Sequence, residues 1–315
     1  MGLGLAALGR PGYITLTHNE DISDYDVAEM ETHAHAVLDS AWHAGIRYFD
    51  AARSYGKAEQ FLGSWLRSRE IDRSEVIIGS KWGYTYTADW QVKAETHEVK
   101  EHSLSVLQRQ WAETLSFLGY TPNLYQIHSA TLDSGVLDNR AVLNELGKLK
   151  AGGTLIGLTL SGANQSQTLE KALGVMMDGV RLFDSVQVTW NLLERSTTAI
   201  LREARRLGLA VIVKEAVANG RLTSSNHEQD FQSQMQLLKT EATRLGTTID
   251  ALALAAVLAQ EWATIVLSGA ANSQHLEANV KAFDVRWDEI AENALASLEE
   301  MPEAYWAERS QLSWN

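Results

Sequence analysis

The sequence contains no cysteine among its 315 residues. This absence excludes disulfide bridges, thiolate nucleophiles and metal sites built on cysteine. There is also no run rich in lysine and arginine, and the formal net charge is -13. Because like charges repel, this charge balance disfavours nucleic acids and anionic membranes as partners.

Long apolar runs are absent as well, and no segment reaches the roughly 18 apolar residues that a membrane-spanning helix needs. The first residues carry no basic region, and the initial apolar stretch ends at Arg10 and Pro11, so we expect no signal peptide. Hydrophobic residues make up 45% of the chain, enough for a sizeable core. The composition predicts a globular, cytoplasmic protein and leaves its oligomeric state open.

Short apolar runs alternate with amphipathic stretches along the chain. The runs predict eight strands, at 4–8, 47–50, 76–81, 124–128, 155–159, 185–189, 210–214 and 264–267. The stretches, with apolar residues three and four positions apart, predict eight helices, at 31–44, 58–68, 99–118, 140–151, 167–173, 197–207, 249–260 and 273–282. This alternation predicts an α/β fold, a (β/α)8 TIM barrel forming one domain over residues 1–315. A doubly wound sheet is the rival, but no Gly-x-Gly-x-x-Gly follows a strand and opens a helix.

Three long connections, at 11–29, 84–98 and 216–232, follow predicted strands. In a barrel they would lie at the carboxyl ends of the strands, where long loops shape ligand sites. Aromatic side chains are candidate walls for a substrate, with the C-terminal helix and the tail at 306–315 closing over the site; the candidates are Tyr13, Trp82, Tyr84, Trp90 and Trp190. An equally simple interpretation is that these rings only anchor loops or fill the core.

Polar residues of catalytic type stand at or just after the ends of successive apolar strands: Asp50, Tyr55, Lys81 and His128. Because the carboxyl ends of parallel barrel strands meet on one face, we expect these four side chains to converge. Each residue alone fits a structural role, as a cap, a packing residue or a solvated strand end. Together they favour an enzyme.

The segment from Gly45 to Ala52, followed by Tyr55-Gly56, Glu59 and Leu62-Gly63, resembles the signature of the aldo-keto reductases. Later segments agree with the family in order and spacing: Ser80-Lys81, Gln126 to His128, Ile156 to Thr159, Gln187 with Asn191, Asn219 to Leu222, and Ser268-Gly269 with Asn279. The resemblance implies the barrel predicted above and a nicotinamide nucleotide, NADP(H) or NAD(H). The substrate would be a small-molecule carbonyl or alcohol.

The chemistry of carbonyl reduction needs these residue types. The developing alkoxide requires a proton, and Tyr55 is our candidate for the general acid/base. A buried ammonium at Lys81 would lower the pKa of that phenol, and Asp50 would hold Lys81 charged and fixed. His128 would hydrogen-bond the substrate oxygen and orient it. The other histidines lack a spacing that suits zinc, so we expect no metal.

The resemblance also implies contacts to the cofactor. Thr159 and Gln187 stand where the family binds the nicotinamide carboxamide. Lys214 takes the place of an aromatic residue that usually stacks on the ring, and could instead pair with Glu215 or contact a diphosphate. Three consecutive residues, Asn219, Gly220 and Arg221, resemble the loop over the diphosphate, where N–H groups and a guanidinium would neutralise anionic oxygens.

The stretch from Ser268 to Asn279 governs the choice between the two nucleotides. Gly269 and His275 occupy places where NADP-preferring members carry lysine and arginine, so both strong cations are missing. Family frequency favours NADP, whereas the local charge favours NAD, and the preference stays open.

Two other functions are also compatible with the sequence. The first is a nucleotide-binding regulatory protein on the same scaffold, because a fold alone does not separate binding from catalysis. The second is a sugar 1-dehydrogenase working in the oxidative direction, which the start of the chain and its Gly-type eighth loop resemble. Neither the specific substrate nor the physiological direction follows from the sequence.

Overall fold

The computed structural model describes residues 1–16 and 24–315. Its centre is a closed barrel of eight parallel strands. The strands are β1 (Gly2–Gly4), β2 (Tyr48–Asp50), β3 (Ile77–Trp82), β4 (Leu124–Ala130), β5 (Leu155–Leu160), β6 (Ser185–Thr189), β7 (Ala210–Lys214) and β8 (Ile265–Ser268). Each strand pairs with its neighbours in chain order, and β1 closes the ring by pairing with both β2 and β8. The predicted (β/α)8 barrel is confirmed.

Helices surround the barrel and cover its outer face. Those in the described residues are α1 (Val27–His43), α2 (Ala58–Ser68), α3 (Leu104–Leu118), α4 (Arg140–Ala151), α5 (Gln165–Leu173), α6 (Thr198–Arg206), α7 (Gln232–Arg244), α8 (Ile249–Leu258), α9 (Ser273–Val280), α10 (Glu289–Leu295) and α11 (Pro302–Gln311). Two hairpins in the described part of the chain lie outside the barrel, Tyr84–Tyr86 with Glu98–Lys100 and Met176–Met177 with Val180–Arg181. None of these helices is long and apolar enough to cross a membrane.

The prediction for the first strand is wrong in its position, because β1 covers Gly2–Gly4 rather than 4–8. The barrel interior explains the shift: a Cβ on Gly2 would lie 2.7 Å from the ring of Tyr48, so only glycine fits there. The apolar residues Leu5 and Leu8 form a turn instead, and they are buried against the helices around β2. These residues are apolar because they are buried, although they do not form a strand.

The helix predictions also need correction in three places. The helix expected over 99–118 begins at Leu104, where the Ser103 side chain caps it, because the preceding residues pair as a hairpin strand. Helices α7 and α10 were not predicted, although the buried residues Met235, Leu238 and Ala242 of α7 show helical spacing. The polar residues between them weakened the apolar pattern.

The inside of the barrel is filled by side chains, so open space lies at its carboxyl end. A small cluster formed by Tyr48, Leu124, Ile212 and Leu267 occupies the interior. The loops after β3 and β7 reach the open end, as predicted, and supply walls there. The loop predicted over 11–29 contributes Tyr13 and its neighbours, while 17–23 lie outside the described residues.

Candidate active site

The turn after β2 fixes the position of Tyr55. Gly56 has a φ of +55°, and a Cβ there would lie 2.4 Å from the carbonyl oxygen of Gly9. The amide of Lys57 donates to that same carbonyl at 2.7 Å. The turn after β1 and the turn after β2 are therefore locked together, and Tyr55 stands at the mouth of the barrel.

Asp50, Lys81 and Tyr55 form one hydrogen-bonded chain. The Nζ of Lys81 donates to the carboxylate of Asp50, to the carbonyl of Ala51 at 3.0 Å and to the hydroxyl of Tyr55 at 3.2 Å. The side chain of Lys81 is fully buried, and that of Asp50 is 2% exposed. An unpaired ammonium in such a place would be costly, so the carboxylate is required for the lysine to stay charged.

The second oxygen of Asp50 accepts hydrogen bonds from neutral donors. The hydroxyl of Tyr48 and the amide of Gln187 each donate to Oδ1 at 3.0 Å, and Gln126 lies at 3.4 Å. These donors come from the second, sixth and fourth strands of the barrel. The carboxylate is therefore held by the barrel itself, which fixes the direction of the ammonium.

The pKa of Tyr55 differs from the expectation that Lys81 lowers it. Burial, followed by the negative charge of Asp50, holds the pKa of the Tyr55 hydroxyl above its usual range. Burial also lowers the pKa of Lys81, an effect that Asp50 opposes. In this state Tyr55 is a phenol at neutral pH, the form that donates a proton.

His128, on β4, lies beside Tyr55 at the same cavity. Its ring lies edge-on to Tyr55 with centroids 5.5 Å apart, and edge-on to Tyr84 at 4.9 Å. Burial, followed by the nearby cations, of which Lys81 is the strongest, holds the pKa of His128 well below its usual range. The Nδ1 of His128 lies 3.4 Å from the hydroxyl of Ser54. A neutral imidazole in this position is able to carry its proton on Nε2.

Glu59, a residue of the sequence signature, lies behind this chain rather than in it. Its carboxylate is buried and accepts hydrogen bonds from Ser80 at 2.5 Å and Thr114 at 2.8 Å. Arg53 pairs with it at 2.8 Å. Glu59 thus ties β3 and α3 to the turn that carries Tyr55.

Two adjoining cavities form a groove that starts at Tyr55. The inner cavity, about 230 Å³ in volume, is lined by Asp50, Tyr55 and His128 together with residues of the first, third, seventh and eighth loops. The outer cavity, about 180 Å³, continues along the eighth loop to His275. Both are lined by Val217, Gly269 and Asn279, so the two cavities adjoin.

Most of the sequence-predicted cofactor residues line this groove. The inner cavity holds Gln187, Lys214, Asn219, Ser268, Gly269 and Asn279, and the outer cavity adds Gly220 and His275. Thr159 does not line it, because its hydroxyl accepts the backbone N–H of Ser129 at 2.7 Å; Ser161 faces the cavity instead. Arg221 also points elsewhere, with its guanidinium bound to Glu300 at 2.6 and 3.1 Å.

Lys214 belongs to a partly buried group of charged side chains on the inner cavity. Its ammonium donates to the hydroxyl of Thr189 at 2.7 Å and lies 3.7 Å from Glu215, whose carboxylate Arg309 of α11 binds at 2.5 to 3.1 Å. Burial lowers the pKa of Lys214 to about 8. Burial alone would raise the pKa of Glu215, but Arg309 and Lys214 outweigh it and bring that pKa to about 2.

Only some of the predicted aromatic walls face the cavity. Tyr13 and Tyr84 line it, whereas Trp82 and Trp190 are buried in the core. Trp90 donates to the backbone of the segment before α1 and lines a separate surface pocket.

The C-terminal tail reaches the mouth of the groove. Asn315 pairs with the backbone of Tyr13, and Trp314 lies over the guanidinium of Arg10 at 4.6 Å. Arg10 also forms an ion pair with Glu98 at 3.0 Å. Arg10, Glu98 and Arg309 were not predicted as site residues, since only the predicted loop placement indicated that residues from those segments would meet here.

A parallel eight-stranded barrel with a buried, hydrogen-bonded Asp–Lys–Tyr chain at its carboxyl face defines the class of protein: a (β/α)8 barrel with a polar site at the ends of its strands. The model of the Aldo/keto reductase family matches residues 1–300. The chain belongs to this family, which implies an oxidoreductase that uses a nicotinamide nucleotide on carbonyl compounds.

Individual proteins are similar to the chain over different lengths. The aldo-keto reductase str7 of Strobilurus tenacellus is 25% identical over 326 residues, covering 96% of this chain and 88% of that protein. A D-threo-aldose 1-dehydrogenase of Pseudomonas sp is 41% identical over 58 residues, 18% of this chain and 17% of that protein. Among solved structures, the aldo-keto reductase AKR11C1 from Bacillus halodurans, in its holo form, has a TM-score of 0.72 at 21% identity, covering 96% of this chain and 92% of that one.

Proposed function

We propose that this protein interconverts an aldehyde, ketone or sugar carbonyl with the corresponding alcohol, using NADP(H) or NAD(H), with Tyr55 as the general acid/base. The observation that carries the proposal is the hydrogen-bonded chain from Asp50 through Lys81 to the Tyr55 hydroxyl, at the inner end of an elongated groove. A structural ion pair would not need a phenol at the mouth of a cavity.

The residues of the groove fit a nicotinamide nucleotide. The Oδ1 of Asn219 is buried and has no hydrogen-bond partner among the described residues, so it is available to a ligand in the cavity. Space is open beside Gly269, where a Cβ would meet no atom within 4 Å. Two adjoining cavities suit an extended ligand, with Gln187 and Lys214 in the inner cavity and Gly220 and His275 in the outer one.

When bound, a reduced nicotinamide nucleotide supplies a hydride for the carbonyl carbon. Tyr55 donates its proton to the carbonyl oxygen, and the imidazole of His128 holds that oxygen by a hydrogen bond. The ammonium of Lys81, 3.2 Å from the phenol oxygen, stabilises the phenolate that remains. Asp50 keeps the ammonium charged and in place. In the oxidative direction the phenolate takes the proton of the alcohol.

The test is nucleotide binding followed by turnover. Both reduced nucleotides are titrated against the protein, and a panel of aldehydes, ketones and sugars is then assayed, with the Tyr55→Phe variant as the background. We expect binding of at least one nucleotide and Tyr55-dependent oxidation of it by some members of the panel. Tight binding without turnover on any member would support the regulatory alternative instead.

A sugar 1-dehydrogenase is the second candidate, favoured by the short, 41% identical match to the D-threo-aldose 1-dehydrogenase. The same Tyr55–Lys81 chain would serve this reaction as the base that removes the proton of the anomeric hydroxyl. Assays of aldoses with both oxidised nucleotides distinguish it. Efficient aldose oxidation, with poor reduction of simple aldehydes and ketones, would place the protein in this second class.

A further inference from the structure

The charges around the inner cavity do not balance. Three ion pairs account for most of them: Arg10 with Glu98, Lys81 with Asp50, and Arg309 with Glu215. Lys214 is the fourth cation and has no carboxylate of its own among the described residues, since it shares Glu215 with Arg309.

The environment of Lys214 leaves this positive charge in place. Glu215 is already bound by two nitrogens of Arg309 at 2.5 to 3.1 Å, and it lies 3.7 Å from Lys214. The closer contact of Lys214 is the hydroxyl of Thr189 at 2.7 Å, which is neutral. The hydroxyl in turn donates to Glu215. A side chain 19% exposed, in a cavity of about 230 Å³, is little screened by water.

The positive charge of Lys214 affects which redox state of the ligand the site binds, an inference that rests on the function proposed above. A nicotinamide ring that exchanges hydride beside Tyr55 has to share the inner cavity with Lys214, because both residues line it. The ring carries a positive charge when oxidised and none when reduced. A nearby ammonium repels the first and not the second.

We propose that Lys214 makes this site bind the reduced nucleotide in preference to the oxidised one. Lys214 is thus a residue that sets cofactor specificity by redox state, through charge rather than through shape. It weakens the complex with the oxidised nucleotide and favours its release after carbonyl reduction.

The experiment measures dissociation constants for the reduced and oxidised forms of whichever nucleotide binds more tightly. Quenching of the ten tryptophans reports binding, at fixed pH 7 and fixed ionic strength. The proteins are the native chain, the variants Lys214→Met and Lys214→Gln, and Lys171→Met as a matched control on the outer surface. Lys171 pairs with Asp138, away from the groove. The glutamine variant keeps a donor for Thr189 without the charge, in case the methionine variant folds poorly.

We expect both Lys214 variants to tighten binding of the oxidised form about tenfold relative to the reduced form, while the Lys171 control leaves the ratio unchanged. Equal weakening of both forms would overturn the proposal and assign Lys214 to the diphosphate. Unchanged constants, with a raised KM for carboxylate-bearing carbonyl compounds, would overturn it in favour of an anionic substrate site. If the native chain bound neither nucleotide, the proposed function itself would fail, which is a distinct result.

Discussion

The two ends of the groove differ in how their charged groups are arranged. At the inner end, Asp50, Lys81 and Tyr55 are joined to one another and to the strands, so each group is held in a single position. At the outer end, the eighth loop presents Gly269 and His275 without a lysine or arginine between Ser268 and Asn279. At the inner end the charged groups bind one another, whereas the outer loop lacks lysine and arginine.

The outer end also contains a carboxylate that no sequence motif pointed to. Asp250, at the start of α8, lines the outer cavity, and burial raises its pKa. When ionised it would repel a 2′-phosphate rather than attract it. We therefore expect this fold to fix the groups proposed for the chemical step tightly and to select only weakly between the two nucleotides.

The largest effect that we expect is at the inner end. Replacing Tyr55 by phenylalanine removes the donated proton but not the ring, so the fold and nucleotide binding should persist. Carbonyl reduction should fall about 10²-fold or more, the usual scale for a positioned acid. Steady-state kinetics and a nucleotide titration on the same preparation check this. Near-normal turnover in the folded variant would remove Tyr55 from the acid/base role.

Lys81→Met should cost a similar or somewhat smaller factor, on the order of 10²-fold, because the phenolate loses the ammonium that stabilises it. Loss of this cation raises the pKa of Tyr55 further. For oxidation of the alcohol, which needs the phenolate, the rising limb of the pH–rate profile should move to higher pH. An unmoved profile would show that Lys81 acts only in packing.

Gly56→Ala tests the turn that positions Tyr55, and we expect a smaller loss of activity, about tenfold, as the tyrosine is displaced. The new Cβ would sit 2.4 Å from the carbonyl of Gly9 at a φ of +55°, so unfolding by urea should show a destabilisation of about 2–3 kcal/mol. Gly45→Ala is the matched control. Its φ is +83° with no atom within 4 Å, so only about 1 kcal/mol is expected, with activity unchanged. Equal costs at the two positions would contradict the role given to the Gly9 contact.

The smallest effect concerns the outer end. Without cations at Gly269 and His275, we expect the native chain to discriminate between NADPH and NADH by only about ten- to thirtyfold, or 1–2 kcal/mol. The double variant Gly269→Lys with His275→Arg should shift the ratio of the two dissociation constants toward NADPH. Measurements at fixed ionic strength check it. A thousandfold preference for NADPH in the native chain would show that other residues bind the phosphate.

The sequence predicted those parts of the site that follow from strand ends. Asp50, Lys81 and His128 each close or nearly close a short apolar run, and parallel strands in a barrel bring such positions together. The barrel itself followed from the alternation of apolar runs and amphipathic helices. The pattern could therefore predict residues that lie at the end of a strand or in the turn after it.

Other features depend on contacts between distant segments. Arg309 meets Glu215 across 94 positions, and Arg10 meets Glu98 across 88, so no local pattern pairs them. Arg221 was assigned to the diphosphate by its loop, yet its guanidinium is bound by Glu300. Strand β1 was misplaced because a glycine that makes room for Tyr48 does not look like a strand residue. Loop side chains take their direction from tertiary packing, which the sequence pattern does not contain.

A double-variant cycle tests the central claim, that Lys81 acts through Tyr55, most directly. The rate of carbonyl reduction at saturating nucleotide is measured for the native chain, Tyr55→Phe, Lys81→Met and the double variant, each shown to be folded and to bind nucleotide. If the ammonium serves only to stabilise the phenolate of Tyr55, the double variant should be no slower than the slower single variant, within about threefold. Losses that multiply would contradict the claim and show that the two residues contribute independently.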